Sequence, residues 1–221
     1  MKNGKAQKQL HREKTLLDAA EDIIFSHGLR HATMDEIAEH AGVSKGTLYY
    51  YFTDKNDLYL AINNRGLLIL NNQLASVITE DLPGAELLRR MGEEYMRFVQ
   101  QYPNYFRAFL HHENAKTPES DTSELDEQCE RQVHRTFTYT VRALQIGMQD
   151  GTIDSRHEPE VLALELWGSI RGLTQLYYLK SQGHYENMFG EFEMTFENIF
   201  YNFIDIFLSG MQNDADFNKD K

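Results

Sequence analysis

Between Ser44 and Phe52 the sequence sets Lys45, Gly46, Thr47, Tyr49, Tyr50 and Tyr51 around one leucine, Leu48. These are ammonium and hydroxyl donors with a glycine among them, a set suited to hydrogen bonding with a polar or anionic polymer approached closely by the backbone. On a helix three consecutive tyrosines cannot all face inward, because successive side chains diverge by about 100°. At least one hydroxyl therefore points outward. Catalytic motifs are absent from the chain: there is no G-x-S-x-G, no glycine-rich phosphate loop and no H-E-x-x-H. Adjacent residues such as His111-His112-Glu113 diverge too far to chelate one ion, and the single Cys129 lacks zinc-type spacing. The expectation is a protein that is not an enzyme and needs neither metal nor cofactor. Met148, Met188, Met194 and Met211 are assigned to packing.

The elements that must hold this segment are helices. Thr33-Met34-Asp35-Glu36 has the S/T-x-x-E form of a capping box and starts a short helix. Gly42 supplies a turn, Ser44 caps a second short helix to about Phe52, and Ile37, Ala38, Val43 and Leu48 can share a small core. Two short helices joined by such a turn form a helix-turn-helix, whose second helix can enter a DNA major groove. Ahead of it, Leu10, Leu16, Leu17, Ala20, Ile23, Ile24 and Phe25 predict a helix from about Gln9 to Ser26, stopped by Gly28.

Helical periodicity continues to the end of the chain, and no segment alternates convincingly with period two. Thr53-Asp54-Lys55 opens a helix to about Ser76, and Leu82-Pro83-Gly84 separates it from another over 85–101. Further helices are expected over 105–114, 123–149, 160–181 and 192–209, with 115–121 a loop. The fold class is all-α with about nine helices: a three-helix helix-turn-helix domain over 1–54, a larger helical domain over 55–212, and a disordered tail over 213–221.

Net charge is −12, which alone argues against a polyanionic partner. The distribution reverses that argument. Residues 1–14 carry Lys2, Lys5, Lys8, Arg12 and Lys14 against Glu13, and residues 1–60 are close to neutral at −1. The acidity lies in the larger part. Taken alone, the basic start is equally consistent with a frayed, solubilising terminus. With no apolar run long enough for a span and no signal-peptide pattern, a cytoplasmic protein without a membrane partner is expected.

The run from Thr33 to Phe52, followed by Asp54-Lys55-Asn56-Asp57-Leu58 and preceded by Ala19-Ala20 and Phe25-Ser26-His27-Gly28, closely resembles the DNA-binding domain of the TetR family of repressors. The resemblance covers about residues 12–62. It implies that Lys45, Gly46 and Thr47 meet base edges or nearby phosphates, that Tyr49 and Tyr50 touch the sugar-phosphate backbone, and that Lys55 pairs with a phosphate. Thr33 would cap its helix near the backbone, and Ser44, capping the recognition helix, belongs to the same surface. Tyr51 stands where some members carry histidine, and its role stays open. No Arg, Asn or Gln occurs between 44 and 52, so readout would lean partly on DNA shape.

In the larger domain, the apolar faces of the last two helices predict a homodimer, with Gly168, Ile170, Leu173, Phe200, Phe203 and Phe207 at the interface. The resemblance implies the same arrangement, a four-helix bundle. An aromatic set, Tyr95, Phe98, Tyr102, Phe106, Phe109, Phe137 and Trp167, with His112 for polarity, is expected to line a pocket for a small-molecule effector. Together these expectations describe a ligand-responsive repressor that binds a palindromic operator as a dimer. A helical adaptor binding only protein is the alternative, and an enzyme the remoter one.

Overall fold

A computed structural model describes residues 2–115, 123–181, 183–184 and 195–212, with side chains described from residue 7 and not for 111–115 or 181. The described residues form nine α-helices and no strand: α1 (Lys2–His27), α2 (Met34–His40), α3 (Lys45–Tyr51), α4 (Lys55–Val77), α5 (Gly84–Gln101), α6 (Pro103–Ala115), α7 (Glu124–Asp150), α8 (Pro159–Ser181) and α9 (Phe196–Met211). The all-α expectation holds. The tail at 213–221 and the start of the last expected helix at 192–194 fall outside the described residues.

The described residues fall into two compact units, one within 1–68 and 102–132, the other within 69–101 and 133–212. The division therefore differs from the expected boundary at 54/55. It lies inside α4 and inside α7, because α6 and the start of α7 pack with the helix-turn-helix.

In the first unit α1 buries Leu16, Leu17, Ala20 and Ile24 and stops at Gly28, whose φ of 82° is open to glycine at no steric cost. The Gly28 amide donates to the Ile24 carbonyl at 2.9 Å, and the amides of His31 and Ala32 return to the Gly28 carbonyl. This helix begins at Lys2, well before the expected Gln9. Its early turns lack an apolar stripe, so periodicity did not reveal them; Leu10 is exposed. Tyr105 of α6 stacks edge-on against Phe25 at 5.4 Å and donates its hydroxyl to Glu21 Oε1 at 2.8 Å. Arg65 of α4 reaches Asp18 Oδ1 at 2.6 Å and Glu21 Oε2 at 2.9 Å. Burial raises the Glu21 carboxyl pKa despite these partners, and it pushes the Tyr105 phenol up to about 12, with the Glu21 hydrogen bond adding to the rise. Gly66 leaves room for this joint, since a Cβ there would lie 2.7 Å from the Tyr105 Cβ.

The second unit is built on the buried faces of α5 (Leu87, Leu88, Met91, Met96), α8 (Leu162, Ala163, Leu166) and α9 (Phe196, Phe200, Ile204, Leu208). Pro159 opens α8 at a position where its missing amide hydrogen costs nothing. The start of α5 is capped by the end of α7: the Gly84 amide donates to Asp150 Oδ2 at 2.8 Å and the Ala85 amide to Thr152 Oγ1 at 3.3 Å. Here the backbones nearly touch, for a Cβ on Gly84 would stand 2.0 Å from the Gly147 nitrogen.

Candidate nucleic-acid interface

Local chemistry fixes the frame of α2 and α3. Thr33 Oγ1 accepts from the Glu36 amide at 3.2 Å while the Thr33 amide donates back to Glu36 Oε2 at 3.0 Å, completing the expected capping box. The Thr33 hydroxyl and amide together hold the Glu36 carboxyl below its ordinary pKa. At Gly42 φ is 64°, and the Val43 amide closes the turn on the Ala38 carbonyl at 3.0 Å. Ser44 Oγ accepts from the Thr47 amide at 3.2 Å, which starts α3.

Only Leu48 of α3 is buried, at 0% exposure, where it joins Ile37, Ala38 and Phe52. Full burial of such a side chain contributes about 1.5–3 kcal/mol. Everything else on the helix is at least partly open to solvent. Tyr50 is 76% exposed and Tyr49 43%, whereas Tyr51 packs partly against the core and meets the Tyr50 ring edge-on at 5.2 Å. The Ser44 and Thr47 hydroxyls lie 2.8 Å apart. Gly46 faces open space: among the described residues no atom beyond the local helix backbone lies within 4 Å of where a Cβ would be. The outward tyrosine required by helical geometry is thus Tyr50, seconded by Tyr49.

Two of the expected cations are engaged within the protein. Lys45 Nζ pairs with Asp35 Oδ1 at 2.6 Å and lies 5.9 Å from the Tyr49 ring centre. That hydrogen bond raises the Lys45 pKa and keeps it charged. Both groups are exposed, so the pair contributes little to stability. Lys55 Nζ donates to the carbonyls of Ala32 at 3.0 Å and Arg30 at 3.4 Å, tying the start of α4 to the turn before α2. Sequence reasoning missed Asp35 as a partner of Lys45; its place in the first turn of α2 was the available signal.

The aromatic set divides between the units. Tyr102, Phe106 and Phe109 belong to the first, Tyr95, Phe98, Phe137 and Trp167 to the second; the His112 side chain lies outside the described residues. Within the second unit Tyr95 stacks on Phe200 at 5.6 Å, and its hydroxyl stands 3.5 Å from that of buried Thr174. Burial pushes the Tyr95 phenol up to about 12. The Arg171 guanidinium lies 4.7 Å from the Trp167 ring centre. Thr174 and Phe196 join this neighbourhood without having been expected there.

Of the expected interface residues, Phe200 is corrected: it is 0% exposed, packed between Tyr95 and the Gly92 region inside its own unit. Gly168 is exposed, and Ile170, Leu173, Phe203 and Phe207 are half-buried. The apolar residues that do face outward are Val161, Leu164, Leu176 and Tyr177 on α8 and Ile206 on α9. Val161, Leu164, Gly168, Gly172 and Leu176 recur at spacings of three and four, a stripe legible in the sequence of which only Gly168 was among the expected interface residues. Among the described residues no group of His, Cys, Asp or Glu is placed to hold a metal ion, and no helix is long and apolar enough to cross a membrane.

Residues 16–62 match the profile of the family described as bacterial regulatory proteins, tetR family. An uncharacterised HTH-type transcriptional regulator of Mycobacterium tuberculosis (strain CDC 1551 / Oshkosh) is 32% identical over 152 residues, which cover 67% of this chain and 62% of that relative. The chain thus spans less than two thirds of that relative's length. SmeT, the repressor of the Stenotrophomonas maltophilia multidrug efflux pump SmeDEF, has a similar structure, with a TM-score of 0.67 at 18% identity over 92% of this chain and 91% of that one. FadR from Bacillus subtilis, in complex with stearoyl-CoA, gives a TM-score of 0.67 at 17% identity over 90% and 99%. At these identities the likeness is one of fold. Residues 16–62, which carry the capped helix pair, thus match the DNA-binding domain of the tetR family of bacterial regulatory proteins, and the chain shares the all-α fold of these solved structures through most of its length.

Proposed function

We propose that the chain is a ligand-responsive repressor that binds a palindromic operator as a homodimer. One observation carries the reading: α3 buries only Leu48 and turns Lys45, Thr47, Tyr49 and Tyr50 to solvent, with Gly46 open between them. A helix so armed can enter the major groove, exchanging the Asp35 partner of Lys45 for guanine O6 and N7 or a phosphate while the tyrosine hydroxyls donate to the backbone. Ser44 and Thr33 hold the two helix starts that frame this surface. Lys55 contributes through the turn it fastens, and its charge adds to the attraction for phosphate.

A two-fold operator needs a two-fold protein. The outward apolar stripe of α8, with Ile206, Phe203 and Phe207 on α9, would supply the surface, and among the described residues nothing beyond the local helix backbone comes within 4 Å of a Cβ placed at Gly168 or Gly172. That leaves room for a partner helix to approach closely. The effector would be a lipophilic small molecule met by Tyr95, Phe98, Phe137 and Trp167, with Thr174 near the Tyr95 hydroxyl. Because α4 starts beside the helix-turn-helix and continues into the second unit, a displacement along it would alter the spacing of the two recognition helices. The protein acts on DNA by binding alone.

The test is selection of duplexes from a randomised inverted-repeat pool at low salt, with the molar mass of the free protein and of its complex measured by light scattering. Enrichment of a two-fold-symmetric sequence bound by a dimer is the expected result. A folded, effector-free sample that enriches nothing would overturn the reading.

A further inference from the structure

Resting on that reading, one surface extends it. The early turns of α1, the turn at 41–44 and one side of α3 enclose a groove of about 1310 Å³. Its α1 wall includes Lys8, His11, Arg12 and Thr15, and its opposite wall includes Thr47 and Tyr50. The first four recur at spacings of three and four, so they form one helical face. Among the described residues no Asp or Glu lines this groove, although the chain holds 34 acidic residues against 22 Lys and Arg. In so acidic a chain, an open channel whose described lining includes two cations, an imidazole, amides and hydroxyls but no carboxylate is matched to a polyanion. Its floor is the turn beneath α3. A strand that runs along the Tyr50 side of the recognition helix therefore meets α1 as well.

We propose that this groove seats the sugar-phosphate backbone of the operator strand flanking the recognition helix, with Lys8 and Arg12 each neutralising a phosphate. The α1 extension then acts as a second wall of the DNA site. Its cations set affinity and register, while base preference stays with α3, since phosphate contacts carry no direct sequence information.

The experiment uses the full chain and a duplex that the wild-type protein has itself selected. Affinity is measured from 0.1 M to 1 M salt for wild type, K8Q/R12Q, and the control K14Q/R30Q, which removes two exposed cations of the same unit outside the groove. Thermal melts verify that each variant is folded. With a slope of about 0.9 per phosphate contact, K8Q/R12Q should flatten the log–log salt dependence by about 1.8 per protomer and so by about 3.6 for the dimer, which is a loss of about 4000-fold at 0.1 M relative to 1 M. The control should keep the wild-type slope, and repeating the selection with K8Q/R12Q should return the same sequence. Equal losses in the two double variants would reduce the effect to net charge and overturn the proposal. An altered selected sequence would overturn it too, by making the contact one of base reading. If wild-type protein selects no duplex, the function proposed above fails, an outcome separate from failure of the groove alone.

Discussion

Two surfaces of this molecule expose large side chains, and they differ in chemistry. On α3 the exposed residues are Tyr49 and Tyr50, rings that end in hydroxyls and stand among Lys45, Thr47 and Gly46. On α8 and α9 they are mainly aliphatic, led by Ile206 at 64% and Leu164 at 56% exposure, beside glycines. Amphipathic tips suit a partner that is polar and keeps its water, whereas aliphatic groups gain only when water leaves. The first surface is therefore suited to nucleic acid and the second to another copy of the protein. Each should be separable from the other by mutation.

The most severe break of that separation is K45A/Y50A. Losing a Lys45 contact to a base edge costs about 1–3 kcal/mol, and losing the Tyr50 hydroxyl removes a backbone contact as well; with both half-sites affected, operator affinity should fall on the order of 10³-fold while dimer mass is unchanged by light scattering. A dimeric double variant that binds as tightly as wild type would strike both residues from the contact surface. Less severe is L164D/I206D, which places two carboxylates on the aliphatic surface. Sedimentation should then show monomer at micromolar concentrations, with melting temperature and helicity of the protomer close to those of a wild-type sample diluted below its dimer range. Persistence of the dimer would show that these residues face only solvent.

The smallest expected effect sharpens the comparison, because it tests the frame of the DNA surface and leaves both surfaces intact. Thr33→Ala removes a cap contributing about 1 kcal/mol, visible in urea unfolding near neutral pH. Thr33 also depresses the Glu36 pKa, and a depressed acid contributes stability that is present above the unfolded value of 4.5 and lost as pH falls through the folded one. The deficit of Thr33→Ala relative to wild type should therefore shrink on acidification below that value. A deficit independent of pH would mean that the Glu36 half of the box does not contribute.

What the sequence revealed follows the range of the interactions. The capping box, the Gly42 turn and the Ser44 cap are settled within four residues, so α2 and α3 were legible to their ends. An apolar face was equally plain on α9, yet periodicity cannot say which part of it the chain covers itself. Phe200 belongs to that covered part, while of the outward stripe from Val161 to Leu176 only Gly168 was expected at the interface. The unit boundary was not legible at all. It depends on Arg65 meeting Asp18 and on Tyr105 meeting Glu21, contacts that join residues 47 and 84 apart in the chain and leave no local pattern. The start of α1 was hidden for another reason: residues that favour helix without burying a face produce no apolar period.

The meeting of Gly84 with Gly147 has a consequence for engineering. Most exposed or half-exposed glycines in helices can be exchanged for alanine with a gain, because alanine restricts the unfolded chain. Here one added methyl would have to displace main chain, since the nearest atoms are the Gly147 nitrogen and α-carbon and the Ala143 carbonyl oxygen. A stabilisation campaign guided by helix propensity would choose this position early and lose by it. Because the atoms nearest that methyl are main chain, the clash cannot be relieved by turning a side chain, and one helix or the other would have to move.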